Sequence, residues 1–224
     1  YAVEANVGGG TPTYYVGLAE AISSLVTTSL TSGTEVNFKL HSNIVLSKYV
    51  TFGAASTASG DKVKKIYTLD FNGNTISITD NFTNNGASYG KAVFVSNQTS
   101  ELHFVDNSED QNGGIDATGT NSTNFVYING YTSKVYYESG VFTGDNGFVT
   151  NMGNVANGGG GYITGGVFHN TEFLDDASHL RVSGGTFDID PSARVIAGYV
   201  AKYNEDDGTW TVGLPEYVAE VTID

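Results

Sequence analysis

Glu138-Ser-Gly-Val-Phe142, Ile163-Thr-Gly-Gly-Val-Phe168 and Val182-Ser-Gly-Gly-Thr-Phe187 carry one pattern three times: a strand end, one or two glycines, a β-former and a phenylalanine. The three phenylalanines stand 26 and 19 positions apart. A short companion strand precedes each, at Phe125–Ile128, Gly147–Thr150 and Glu172–Leu174. Upstream, Ala92–Val95 with Leu102–Val105, and Tyr67–Phe71 with Thr75–Ile78, read as the same pair without the double glycine. A unit of roughly 20–30 residues repeated five or six times marks a solenoid or a propeller. Propeller blades need about four strands in 40–50 residues, and these units offer two or three. The pattern therefore predicts an all-β right-handed parallel β-helix of about five to seven rungs. Phe142, Phe168 and Phe187, with Val141, Val167 and Thr186 beside them, are expected to form inward ladders. Gly140, Gly165, Gly166, Gly184 and Gly185 are expected at the rung corners, where φ > 0 is tolerated. Gly53–Lys64 and Asp106–Asn124 read as insertions at rung edges.

Outward from the repeats, the two ends read differently. Leu18, Ala21, Ile22 and Leu25 recur at helical spacing, predicting one helix over 17–25 that caps the first rung. Asp207-Gly208 lies between two alternating runs, predicting a C-terminal hairpin cap. The expected division is 1–33 for an N-terminal strand and capping helix, 34–190 for the β-helix, and 191–224 for the hairpin cap and a tail strand. The tail at Tyr217, Val218 and Val221 resembles the opening at Tyr1 and Val3. That likeness suggests head-to-tail self-association, with packing of each segment on its own chain as the alternative.

Composition narrows the function classes. The formal charge is −14 over 224 residues. Such a surface repels phosphate backbones and anionic headgroups, which disfavours nucleic-acid partners. No run approaches the ~18 apolar residues of a membrane span. Cysteine is absent, which removes disulfides and thiolate metal sites. The sequons at Asn81, Asn97 and Asn121 read first as chance in a chain rich in Asn and Thr. The chain opens at Tyr1 without Met, which reads as a processed product or a piece of a longer one.

Three stretches resemble a known family. Tyr15-Val-Gly-Leu-Ala-Glu-Ala-Ile22 resembles the helix that opens many bacterial β-helix domains, and Leu69-Asp-Phe-Asn-Gly-Asn-Thr-Ile76 resembles one of their rungs. The stretch from Val182 to Ser192, with Gly198–Ala201 and Asp207–Val212, resembles their closing module. The resemblance spans about residues 14–212. It is to pectate-lyase-like β-helices of bacterial cell-surface proteins and phage fibres. It implies the fold and an extracellular place, at a cell or virion surface, and no particular activity.

That family includes lyases and hydrolases, whose sites gather Asp, His and Arg or Lys residues from neighbouring rungs. Asp175, Asp176, His179 and Arg181 supply suitable residue types. Their spacing is wrong, because such groups should recur one rung apart rather than within a few residues. A turn between strands is the favoured reading. Asp106, Ser108, Asp110 and Asn112 alternate like the first half of an EF-hand loop, but Gln111 and Ala117 replace the required Gly and Glu. Asp106 and Asp110 are therefore weak metal candidates, and a solvated insertion is favoured. No cofactor motif is present; Gly158–Gly161 lacks the Lys and following helix of a phosphate loop and reads as a rung corner or an insertion. Tyr127, Tyr131, Tyr136 and Tyr137 could form an outward aromatic surface for a glycan or protein, with strand alternation turning about half of them inward. The leading expectation is a non-enzymatic structural and adhesive module, with a polysaccharide lyase, hydrolase or tailspike-like enzyme as the alternative.

Overall fold

A computed structural model describes residues 1–26, 33–53, 65–83, 92–97, 101–119, 123–129, 132–152, 159–172 and 179–216. At the N-terminal end are β1 (Val3–Val7), β2 (Thr13–Tyr15) and α1 (Leu18–Val26). The first rung is β3 (Thr34–Leu40), β4 (Ile44–Lys48) and β5 (Val50–Phe52). The second is β6 (Lys65–Asp70), β7 (Thr75–Thr83) and β8 (Ala92–Asn97). The third is β9 (Glu101–Val105), β10 (Gly114–Asp116) and β11 (Asn124–Asn129). The fourth is β12 (Lys134–Tyr137), β13 (Val141–Phe148) and β14 (Thr150–Met152). The fifth holds β15 (Gly160–Ile163) and β16 (Val167–Glu172), and the sixth β17 (Leu180–Val182) and β18 (Thr186–Phe187). A hairpin of β19 (Val200–Asn204) and β20 (Thr209–Gly213) closes the C-terminal end.

Strands of successive rungs stack in parallel into three sheets. Sheet A runs β2-β1-β3-β6-β9-β12-β15-β17, sheet B runs β4-β7-β10-β13-β16-β18-β20-β19, and sheet C runs β5-β8-β11-β14. This is the right-handed parallel β-helix that the repeats predict, with six rungs, the helix and the hairpin in their expected places.

Stacking turns alternation into ladders, because equivalent residues share a face on every rung. On sheet A one inward column is Phe38, Leu69, Phe104, Tyr137, Ile163 and Val182, all buried. On sheet B, Ile44, Ile76, Ile115, Phe142, Phe168 and Phe187 align. Their rings stack: Phe142 and Phe168 have centroids 5.0 Å apart, and Phe168 and Phe187 5.1 Å. Strands β8 and β11 are buried almost throughout, which explains their unbroken apolar runs. At the N-terminal end, Leu18, Ala21 and Ile22 of α1 join the same core. Full burial of each large side chain is worth roughly 1.5–3 kcal/mol.

Four readings need correction. Val141, Val167 and Thr186 do not point inward beside the phenylalanines. They are one position out of phase with Phe142, Phe168 and Phe187, so alternation turns them outward, half-buried. Asp106–Asn124 is not a solvated insertion, because it contains β10, paired on both sides, with Ile115 and Ala117 in the core. The expected strand Gly147–Thr150 is divided at Val149 between β13 and β14. Gly160 and Gly161 open β15 rather than forming a corner. The reading of Gly53–Lys64 as an insertion, and the strand at 172–174 beyond Glu172, lie outside the described residues.

Two phenols sit deep in the stack. Desolvation pushes the Tyr67 phenol up to about 12, with a backbone group at Gly53 pulling partly the other way. Burial raises Tyr137 as well, against the Thr150 hydroxyl 3.0 Å away. The Tyr137 hydroxyl donates to the Val149 carbonyl at 2.8 Å. The folded chain thus holds these protons more tightly than the unfolded chain, whose tyrosines titrate near ~10. Their contribution is full below that pH and is lost as pH rises toward and through about 12. Urea midpoints should therefore fall between pH ~9.5 and ~11.5, and less steeply in Tyr67→Phe. Equal slopes in the variant and the parent would contradict this.

Candidate functional site: the outward stripe of sheet A

The outward positions of sheet A align as the inward ones do. One column reads Asn37, Thr68, His103, Tyr136, Tyr162 and Arg181. The His103 ring stacks on Tyr136 at 4.4 Å and 11°, and Tyr136 on Tyr162 at 4.8 Å and 19°. The Arg181 guanidinium lies 5.2 Å from the Tyr162 ring centroid and its Nη1 donates to the Tyr162 hydroxyl at 3.3 Å. These centroid spacings match the distance between neighbouring strands. The rings therefore stack along the solenoid axis. Their faces meet the rungs above and below, and their edges meet solvent.

Charged groups flank the stripe. On one side, Lys134 Nζ lies 3.7 Å from Glu101 Oε1. On the other, Glu138 Oε1 lies 2.5 Å from His103 Nδ1. Glu101 and Glu138 belong to adjacent rungs and stand on opposite sides of the aromatic column. A face with ring edges, a phenolic hydroxyl and paired charges suits a ligand that hydrogen-bonds. It offers no free aromatic face on which a sugar ring could stack.

The expected site residues scatter. Of the four tyrosines expected there, Tyr136 joins the stripe. Tyr137 is buried in the core. Tyr127 points out of sheet C but is 7 % exposed, packed in a small cluster with Ala92 and Val95. Tyr131 lies outside the described residues. Of the weak catalytic group, Arg181 ends the stripe and His179 is half-buried at the turn before it, while Asp175 and Asp176 lie outside the described residues. His103, Tyr162, Glu101, Lys134 and Glu138 were not foreseen. The usable signal was that His103, Tyr136, Tyr162 and Arg181 each directly precede a residue of one inward ladder.

Asp106 is a structural clamp. It is 1 % exposed. Its Oδ1 accepts the N–H groups of Gly73 (2.8 Å) and Ser108 (3.1 Å), and its Oδ2 accepts that of Gly113 at 2.6 Å. Its own N–H donates to Ser139 Oγ at 2.6 Å, so one residue ties three rungs. Asp110 is exposed in the turn beside it. Among the described residues, no three His, Asp or Glu side chains group so as to hold a metal ion. Asp70, Asp116, Asp190 and Asp207 likewise accept backbone N–H groups at turns, and Asp188 accepts that of Asn170 in β16. Asn97 is buried and its Oδ1 accepts from Asn129 Nδ2 at 2.9 Å. Asn81 is exposed, and Asn121 lies outside the described residues.

Val3 is buried, and β1 is paired on both sides by β2 and β3. Tyr1 is exposed and packs on Tyr14, with ring centroids 4.3 Å apart. Tyr217, Val218 and Val221 lie outside the described residues. The chain matches no protein-family model, and searches of curated proteins and of solved structures find no match either.

Proposed function

We propose that this chain is a non-enzymatic structural and adhesive β-helix module of an extracellular surface or fibre protein, akin to the pectate-lyase-like domains of bacterial surfaces and phage fibres. One observation carries the reading: the polar groups of the outward stripe are paired with one another rather than aimed at a shared open point. Glu101 is spent on Lys134, Glu138 on His103, and Arg181 on Tyr162. Catalysis by a solenoid face needs acids or bases left to act on a bound sugar. The stripe instead presents a rigid, polar strip to a glycan or an extended peptide of a host or matrix. Its rigidity comes from the ladder beneath it.

The second reading, a polysaccharide lyase or hydrolase, has Glu101 and Glu138 in its favour, since two carboxylates on adjacent rungs could flank a glycosidic bond. The same assay separates the two. Polygalacturonate and other acidic or neutral polysaccharides, with and without calcium, should yield no unsaturated products and no new reducing ends. Turnover that disappears in Glu138→Gln and Arg181→Ala would replace the structural reading by the enzymatic one.

A further inference from the structure

We infer that copies of this chain stack head to tail, with β19 of one copy pairing in parallel with β4 of the next. The inference deepens the structural reading above and rests on it.

Strand direction gives the first argument. β20 runs antiparallel to β18, and β19 runs antiparallel to β20. Two reversals cancel, so β19 points the same way as every rung strand of sheet B, β4 included. Among the described residues, β19 and β4 are the two outer strands of that sheet, each hydrogen-bonded on one side only. A copy moved along the axis would bring its β4 to the open edge of β19 in the parallel sense that builds the rest of the sheet. Unpaired edge groups would then be satisfied.

The offset of the two long sheets gives the second. Sheets A and B both hold eight strands, but they are displaced by two. At the head, β1 and β2 overhang on sheet A; at the tail, β20 and β19 overhang on sheet B. With β19 against the next β4, the incoming β1 and β2 come to the end of sheet A, where Val195 bridges Val182 and the Ile196 N–H donates to the Val182 carbonyl at 3.0 Å. Contact on that side is therefore through side chains, and the new ladder forms on sheet B.

The third argument is where apolar surface lies. The exposed large apolar side chains among the described residues are Tyr1, Tyr14, Val16 and Val45 at the head, and Ile196, Val200, Tyr203 and Leu214 at the tail. Among the described residues, the flanks between carry none. Apolar surface gathered at two opposite ends marks contact sites there. Charge selects the pairing against tail on tail: residues 188–216 hold six carboxylates against Arg194 and Lys202, whereas residues 1–53 hold three against Lys39 and Lys48. Two tails together would oppose six carboxylates with six. A head-to-tail contact is heterologous and does not close, so it builds a string. The opening strand β1 is paired on both sides within its own chain, and among the described residues β4 is the head strand of sheet B with one edge unpaired.

Exposed positions allow a test that spares the core. The head variant is Val16→Glu with Val45→Glu, and the tail variant is Val200→Glu with Leu214→Glu. Sedimentation velocity of the parent should show a mass that climbs with concentration without stopping at a dimer. It should climb further at ~0.5 M than at ~0.05 M salt, as the repulsion between acidic copies is screened. Each variant alone should be monomeric, with association weakened at least tenfold and the melting temperature kept. Mixed in equal amounts, they should form a one-to-one dimer and stop there, since one head and one tail remain intact. A parent that stays monomeric, a parent that stops at a dimer, or a tail variant that still pairs by itself overturns the inference. A monomeric parent that also turns over no polysaccharide removes the stacking and leaves the structural reading standing.

Discussion

Gly140→Val is expected to lower the unfolding free energy by at least ~3 kcal/mol. Gly140 precedes β13 at a corner with φ +103°, a backbone conformation that side-chain-bearing residues rarely adopt. A Cβ there would lie 2.7 Å from the Gly113 carbonyl oxygen and 3.2 Å from a ring carbon of Phe71. That oxygen cannot withdraw freely, because it accepts the Val141 N–H at 2.9 Å and so belongs to the ladder between rungs. Conformational strain alone costs about 1–3 kcal/mol, and the clash adds to it. Gly8→Ala is the control: its φ is +57° and nothing lies within 4 Å of the added carbon. It should cost only about 1–2 kcal/mol. Equal urea midpoints for Gly140→Val and the parent would show that the corner is misplaced.

Phe142→Ala should cost about 3–5 kcal/mol. The ring is fully buried in the fourth rung. Its centroid lies 5.0 Å from Phe168, 5.1 Å from Tyr137, 5.7 Å from Phe125 and 5.9 Å from Phe71. Strands on both sides hold these neighbours in place, so the cavity cannot collapse without shifting two rungs. In a solenoid each rung is supported only by its neighbours. Amide exchange should therefore quicken in β13 and β16 before it does so in β3 or β6. A loss below ~1 kcal/mol, or exchange that quickens uniformly, would contradict the ladder.

Much of this architecture was legible in the residues, and the parts that were not share a cause. The helix was expected at 17–25 and lies at Leu18–Val26, because its apolar spacing suits no strand. The Gly-Gly-x-Phe repeats announced sheet B, because each phenylalanine must find the one below it. By contrast, β10 is three residues long and has no pattern of its own; Gly114–Asp116 is a strand only because β7 and β13 lie on either side. Asp106 resembled a metal ligand for a related reason. Polar residues at every second position suit a calcium loop, but backbone N–H groups occupy its carboxylate, that of Gly73 from the preceding rung and those of Ser108 and Gly113 from its own. The outward stripe escaped notice because each rung contributes a single member. His103, Tyr136, Tyr162 and Arg181 become a surface only once the register is known.

That register can be measured directly. The chain has no cysteine, so introduced pairs label uniquely. Asn37→Cys combined in turn with Tyr136→Cys, Tyr162→Cys and Arg181→Cys sets one spin label on β3 and the other on β12, β15 or β17. These strands lie three, four and five spacings away in sheet A. Pulsed dipolar spectroscopy should give backbone separations of about 14, 19 and 24 Å, rising by ~5 Å per rung in that order. Separations that fail to rise in that order would mean that the chain is not wound as a parallel solenoid with this stripe along its side.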